Sequence, residues 1–98
     1  MKSPLFHPEA LAELGAQALY YEERSAGLGQ RFVAQIEAAV RLAASMPGIG
    51  SPYLQGTRRV FAKDFPHSVI YRETEDALIV LAVVPFKRKP GYWRRRRM

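Results

Sequence analysis

The 98-residue chain is expected to fold as α+β, with an N-terminal short strand and a helical hairpin packed on one face of an antiparallel sheet, in the order β-α-α-β-β-β. Three features point there. Two segments before residue 46 repeat their apolar residues every three or four positions. Only Ser25-Ala26-Gly27 separates them, which makes the two helices antiparallel neighbours. After residue 57 come three runs rich in β-branched and aromatic residues, joined by turns short enough for hairpins.

Leu5 and Phe6 form an edge or first strand, closed by His7 and Pro8. Pro8 suits the first helical position, where a missing N–H removes no bond. Leu11, Leu14, Ala18 and Tyr21, with Ala10 and Leu19 alongside, make the apolar side of the first helix. Glu9 and Glu13 sit near its start, where the helix dipole favours negative charge. Gly27 accepts the left-handed conformation that stops a helix. The second helix runs from Leu28 to about Ser45, with Leu28, Phe32, Val33, Ile36, Ala39, Val40 and Ala43 inward and Gln30, Arg31, Gln35, Glu37 and Arg41 outward. Pro47 and Gly48 end it, and residues 47–57 read as a loop. The strands are then 58–63, with Val60 and Ala62 opposite Arg59 and Phe61, then 68–73, then 78–84. The unbroken apolar run from Ala77 to Val84 has to be covered on both faces.

Composition narrows the function classes. The length suits one domain, 1–98. With no cysteine there is no disulfide framework and no thiolate nucleophile or ligand. No apolar run approaches bilayer length, and the first eight residues lack the apolar stretch of a secretory signal. A cytoplasmic protein without membrane association is the expectation. No phosphate-binding glycine loop or metal-ligand set stands out, so neither metal nor cofactor is expected. The net charge of +6 is lopsided: residues 50–98 carry eleven Lys and Arg against four acids, and residues 1–49 four against five. Such a field attracts nucleic acid or an acidic protein segment.

The basic residues concentrate where a stiff strand ends. Lys87, Arg88 and Lys89 follow the apolar run directly, and Arg94, Arg95, Arg96 and Arg97 follow Tyr92 and Trp93. The arginine run reads either as a polyanion-binding arm or as a solvated terminus. Trp93 is expected to pack back over the sheet edge or a helix, since a large ring gains most by burial; Tyr92 is left open between packing and base stacking. Arg58 and Arg59 point to opposite faces if they lie in a strand, so at most one of them can share a groove with Arg88. His7 at a helix start and His67 in a hairpin turn are expected in solvated or capping roles. Glu22 and Glu23 diverge around the helix and make no paired-carboxylate site.

Tyr20-Tyr21-Glu22-Glu23-Arg24, Gly27-Leu28-Gly29-Gln30-Arg31-Phe32, Arg58-Arg59, Phe65-Pro66, Val69-Ile70-Tyr71, Leu81-Ala82-Val83 and Arg88-Lys89-Pro90-Gly91-Tyr92-Trp93 occur in an order that resembles the RelE/ParE superfamily. The resemblance covers nearly the whole chain. It implies a RelE/ParE-like fold and a toxin from a type II toxin–antitoxin pair, of the kind linked to plasmid stabilisation, neutralised by a cognate antitoxin protein. Two activities occur in that superfamily. RelE-like members cut messenger RNA on the ribosome, and ParE-like members poison DNA gyrase without a known hydrolytic site.

Metal-free RNA cleavage needs a proton removed from the 2′-hydroxyl, cations around the phosphate and a protonated or screened leaving oxygen. Laid over this chain, the RelE pattern puts Arg59 at one basic position and Tyr92 at the terminal tyrosine. Its other basic positions fall on Phe61, Ser68 and Phe86, and Pro85 stands where many relatives carry histidine. Lys63, Arg72 or Arg88 would have to substitute. The resemblance therefore favours ParE-like gyrase poisoning, with a ribosome-dependent mRNA endoribonuclease and an inactive binding module as alternatives. The candidate catalytic residues are Arg59, Arg88 and Tyr92. Nucleic-acid or target binding is assigned to Arg58, Arg59, Lys63, Arg72, Lys87, Arg88, Tyr92, Arg94 and Arg95.

Overall fold

The computed structural model describes residues 1–98. β1 (Ser3–Phe6) leads through His7 into α1 (Pro8–Arg24), with Pro8 at the first helical position. His7 caps this helix: its Nδ1 accepts the N–H of Glu9 at 3.1 Å. Gly27, at φ +86°, turns the chain into α2 (Leu28–Ser45). One carboxylate closes the hairpin. Glu22 accepts the N–H groups of Gly27 at 2.8 Å and Gly29 at 3.0 Å, occupying donors that a helix start leaves unpaired. A Cβ on Gly29 would lie 2.4 Å from the Ala18 carbonyl oxygen, so the helices cross there at a distance that admits no side chain.

The sheet contains β2 (Ser51–Pro52), β3 (Arg58–Phe61), β4 (His67–Glu73) and β5 (Ala77–Pro85), in the order β1-β5-β4-β3-β2. It is antiparallel apart from the pairing of β1 with β5, which is parallel, Ser3 facing Ala77 and Phe6 facing Val80. β1 is the edge strand the sequence suggested, while its parallel register was not legible. β2 falls within the stretch expected to be loop. Its Pro52 can sit in a strand because β2 is the opposite edge of the sheet. The loop before it is tied to the core by Tyr71, whose hydroxyl donates to Pro47 O at 2.6 Å and accepts the N–H of Gly50 at 3.0 Å.

A bulge in β5 shapes both faces. Ile70 pairs with Ala82 and Tyr71 with Val80, leaving Leu81 as the extra residue. Leu81 and Ala82 consequently fall on the same side. Towards the helices, Leu78, Val80 and Val83 join Val69, Tyr71, Phe32 and Ile36 in the main core. On the other face, Ile70, Ile79, Leu81, Ala82 and Val84 pack under Trp93. The apolar run is thus covered on both sides, by the helical hairpin and by the chain's own tail.

Two expectations need correction. Leu11 and Leu19 are exposed, because Ala10, Leu14, Ala18 and Tyr21 already form the stripe of α1 against the core. His67 is neither solvated nor in a turn. It opens β4, is 4% exposed, and its ring stands edge-on to Phe32 at 4.7 Å and to Tyr21 at 5.8 Å. Ala62 and Phe65 close over the hairpin so that the histidine enters the helix-side core.

That burial has a measurable consequence. Desolvation disfavours the charged ring and lowers the His67 pKa from 6.5 to about 4. The unfolded chain then takes up the proton first. Stability should be flat above pH 6.5 and fall as pH drops towards 4, by at most about 1.4 kcal/mol per unit. Urea midpoints measured across this range for the native chain and for His67→Phe check it: the native curve should slope more steeply, and parallel curves would refute the effect.

Candidate functional site

On the face away from the helices, the end of the sheet and the first part of the tail enclose a pocket of about 240 Å³. β3 contributes Arg59 and Phe61, which alternation turns away from Val60 and the helix-side core. β4 adds Ser68, whose register partners are Phe61 and Val84. The segment after β5 supplies Phe86 and Arg88, and Tyr53 and Trp93 complete the aromatic lining.

Arg59 lies over the Tyr53 ring at 4.3 Å and near the Phe61 ring at 5.4 Å. Its Nε is buried and has no hydrogen-bond partner. Arg88 stacks on Tyr92 at 4.0 Å. The three ion pairs of the molecule involve Lys2 and Arg96 alone, so neither pocket guanidinium is neutralised by an acid. At the mouth, Phe61 and Phe86 meet edge to face at 5.7 Å, yet are 53% and 56% exposed. The pocket therefore combines two unpaired cations with exposed aromatic surface.

The tail is anchored through Tyr92, Trp93 and Arg96, while Arg94, Arg95 and Arg97 stay exposed. Glu13 of α1 accepts from Tyr92 Oη, from Arg96 Nη1 at 3.0 Å and Nη2 at 2.9 Å, and from the backbone N–H of Val83 at 3.0 Å. Arg96 also donates to Leu81 O at 2.8 Å and pairs with Glu9 at 3.2 Å. Gln17 donates to Val83 O at 3.1 Å. These side chains occupy the edge of β5 beyond the point where β1 stops, at the bond from His7 N–H to Val80 O. An unpaired strand edge and an arginine tail thus satisfy each other through one carboxylate. Burial acts to raise the Glu13 pKa, but hydrogen bonds from Arg96, Tyr92 and Val83 outweigh it and hold the carboxyl below its usual value. Burial and the bond to Glu13 push the Tyr92 hydroxyl well above its ordinary range.

Of the residues singled out from the sequence, Arg59 and Arg88 line one pocket, and Tyr92 supports Arg88 from beneath while its hydroxyl turns to Glu13. Arg58 faces the other way and donates to Gly50 O at 2.8 Å, holding the loop before β2. Arg72 lies towards the far end of β4 and donates to Met98 O at 2.6 Å. Lys63 is exposed in the turn after β3, and Lys87 borders a separate apolar groove with Tyr20, Tyr21, Pro66 and Phe86. Arg94 and Arg95 are exposed on the tail. Sequence reasoning passed over Glu13 and Arg96 as a pair, since 83 residues separate them and no local pattern joins them.

A family model described as "ParE toxin of type II toxin-antitoxin system, parDE" matches residues 5–90. The chain belongs to the ParE toxin family. A solved structure titled "Chromosomal ParDE TA system from P. aeruginosa" contains a chain of the same fold, with a TM-score of 0.75 and 22% identity over 87% of this chain and 96% of that one. Comparison with curated protein sequences returns no match. The RelE/ParE-like α+β architecture expected from the sequence is therefore the one this ParE-family chain adopts. No helix in it is long and apolar enough to cross a membrane.

Proposed function

We propose that this ParE-family chain is a cytoplasmic toxin that arrests growth by binding DNA gyrase without hydrolysing a bond, and that a cognate antitoxin neutralises it. The observation carrying this reading is the composition of the pocket. Where the ribonuclease pattern requires further cations, Phe61, Ser68 and Phe86 line the wall. General acid–base catalysis works best with a group titrating near neutral pH. The Tyr92 hydroxyl is bound to Glu13 and made less acidic, and His67 lies buried on the helix side of the sheet. The pocket can bind an anion, but it has no group poised to remove and return a proton.

The ribonuclease reading keeps one supporting observation, that Arg59 and Arg88 line the same pocket and could stabilise one phosphate together. Expression of the chain alone separates the two. Arrest with the DNA-damage response induced, covalent gyrase–DNA complexes accumulating and transcripts intact is the expected result. Codon-phased cleavage of messages would overturn it in favour of the ribonuclease, and growth without arrest in favour of an inactive binding module. Co-expression of the protein encoded in the adjacent reading frame should restore growth.

A further inference from the structure

The outer side of α1 carries almost no charge and meets nothing in the monomer. From Ala10 to Tyr21 its only charged residue is Glu13, whose carboxylate is turned to the tail. Leu11, Ala12, Gly15, Ala16, Leu19 and Tyr20 make up this side, with Leu11 56% and Leu19 60% exposed. Exposed apolar surface gathered in one strip marks a protein contact. We propose that the strip joins two copies of the chain, their α1 helices crossing antiparallel about a two-fold axis between Gly15 and Ala16. Such a dimer is independent of the target on which the toxin acts.

The strip is self-complementary, as a two-fold contact requires. On α-helical spacing, the crossing sets Leu19 against Ala12 of the second copy and Tyr20 against Leu11, large against small on both sides of the axis. A Cβ at Gly15 would have nothing within 4 Å, so the backbones can approach closely at the axis itself. Tyr20 borders an apolar groove of about 630 Å³, lined also by Tyr21, Pro66 and Phe86, whose rim receives Leu11 of the second copy.

Charge selects the same side. Two chains of net charge +6 repel, but the excess lies in residues 50–98. Residues 1–49, which hold both helices, carry four Lys and Arg against five acids, so this is the side on which two copies can meet. Glu23 falls beside the start of the other α1, where the helix dipole favours an acid. Glu9 and Glu22 meet at the rim, already engaged by Arg96 at 3.2 Å and by the N–H groups of Gly27 and Gly29. An acidic segment of another protein would find no cation along the strip.

α1 has 17 residues, a length of about 25 Å, so one crossing lies at the small end of specific interfaces. The dimer should half-dissociate at roughly ten to a hundred micromolar. Sedimentation velocity of the full chain across that range should show monomer passing into dimer, with no larger species. Gly15→Arg identifies the face. The side chain enters open space and glycine is a weak helix former, so the denaturation midpoint should stay or rise. Dimerisation should nevertheless weaken at least about tenfold, because a long cation then faces its own copy at the axis. Cross-linking reads the register, since the chain has no native cysteine. Ala12→Cys mixed with Leu19→Cys should give a disulfide-linked pair, and either variant alone should not. A chain that stays monomeric throughout would overturn the proposal. So would a Gly15→Arg variant that dimerises like the native chain, or single cysteine variants that cross-link as readily as the mixture. If the chain is monomeric and Gly15→Arg instead abolishes binding of the protein encoded in the adjacent reading frame, the strip belongs to the antitoxin and the dimer falls. Any of these results beside growth arrest by the native chain would remove the dimer and leave the toxin reading standing.

Discussion

Glu13→Ala should lower the unfolding free energy by about 3 kcal/mol and release the arginine tail. One carboxylate serves both Arg96 Nη atoms, the Tyr92 hydroxyl and the N–H of Val83. The Arg96 side chain is only 10% exposed, so removing Glu13 leaves a poorly hydrated cation and a strand-edge donor without their partner. Glu9 still reaches Arg96 at 3.2 Å, which keeps the loss below that of a fully orphaned charge. Urea denaturation gives the stability change. Trypsin digestion under native conditions reports the tail, where cleavage after Arg94 to Arg97 should accelerate at least tenfold if the local opening free energy falls by half of that amount. An unchanged midpoint with unchanged proteolysis would show that the carboxylate is dispensable. The folded Glu13 pKa lies below its ordinary 4.5, so its contribution is complete above that pH and is lost as pH falls further. The effect of His67 should thus be separable between pH 6.5 and 4.5.

Trp93→Ala should cost about 4 kcal/mol, the range for deleting a buried large aromatic ring. The indole is 2% exposed and roofs Ile70, Ile79, Leu81, Ala82 and Val84, with only the partly buried Tyr53 and Tyr92 packed beside it. Its loss opens an apolar face on a five-stranded sheet, and such patches drive association. Denaturation midpoints, binding of a hydrophobic dye and light scattering should all move together. Trp93→Phe should recover most of the stability, because a ring in the same place still covers the strands. A soluble, dye-silent Trp93→Ala protein with a native midpoint would mean that the tail is not the second layer.

Much of the fold was legible in local patterns. The bounds of α2 and the start of α1 agree with the periodicity and with Pro8, because an apolar stripe every three to four residues has one way to face a core. The three later strands appear within about a residue or two of their expected positions, and Val60 and Arg59 do take opposite faces. What failed were assignments that depend on neighbours. His67 looked like a turn residue until Phe65 and Ala62 closed over it. Leu11 and Leu19 looked like core, yet a helix lying on a sheet buries a narrower stripe than its apolar residues could fill. Ser51–Pro52 carries no strand signal and is a strand only because β3 offers it an edge.

The candidate site divides along the same line. Sequence alone determined that positive charge would gather after the apolar strand, that Arg58 and Arg59 would part company, and that Trp93 would be buried. Those follow from adjacency and from the alternation of a strand. Only the tertiary structure decided that Arg59 and Arg88 share a pocket with two exposed phenylalanines, and that Glu13 holds the tail across the open edge of β5. Both depend on the bulge at Leu81 and on how far β1 extends, which set the directions of backbone donors and acceptors on segments tens of residues apart. A linear pattern records what a residue prefers. Which partner meets that preference is settled only when the strands have found their register.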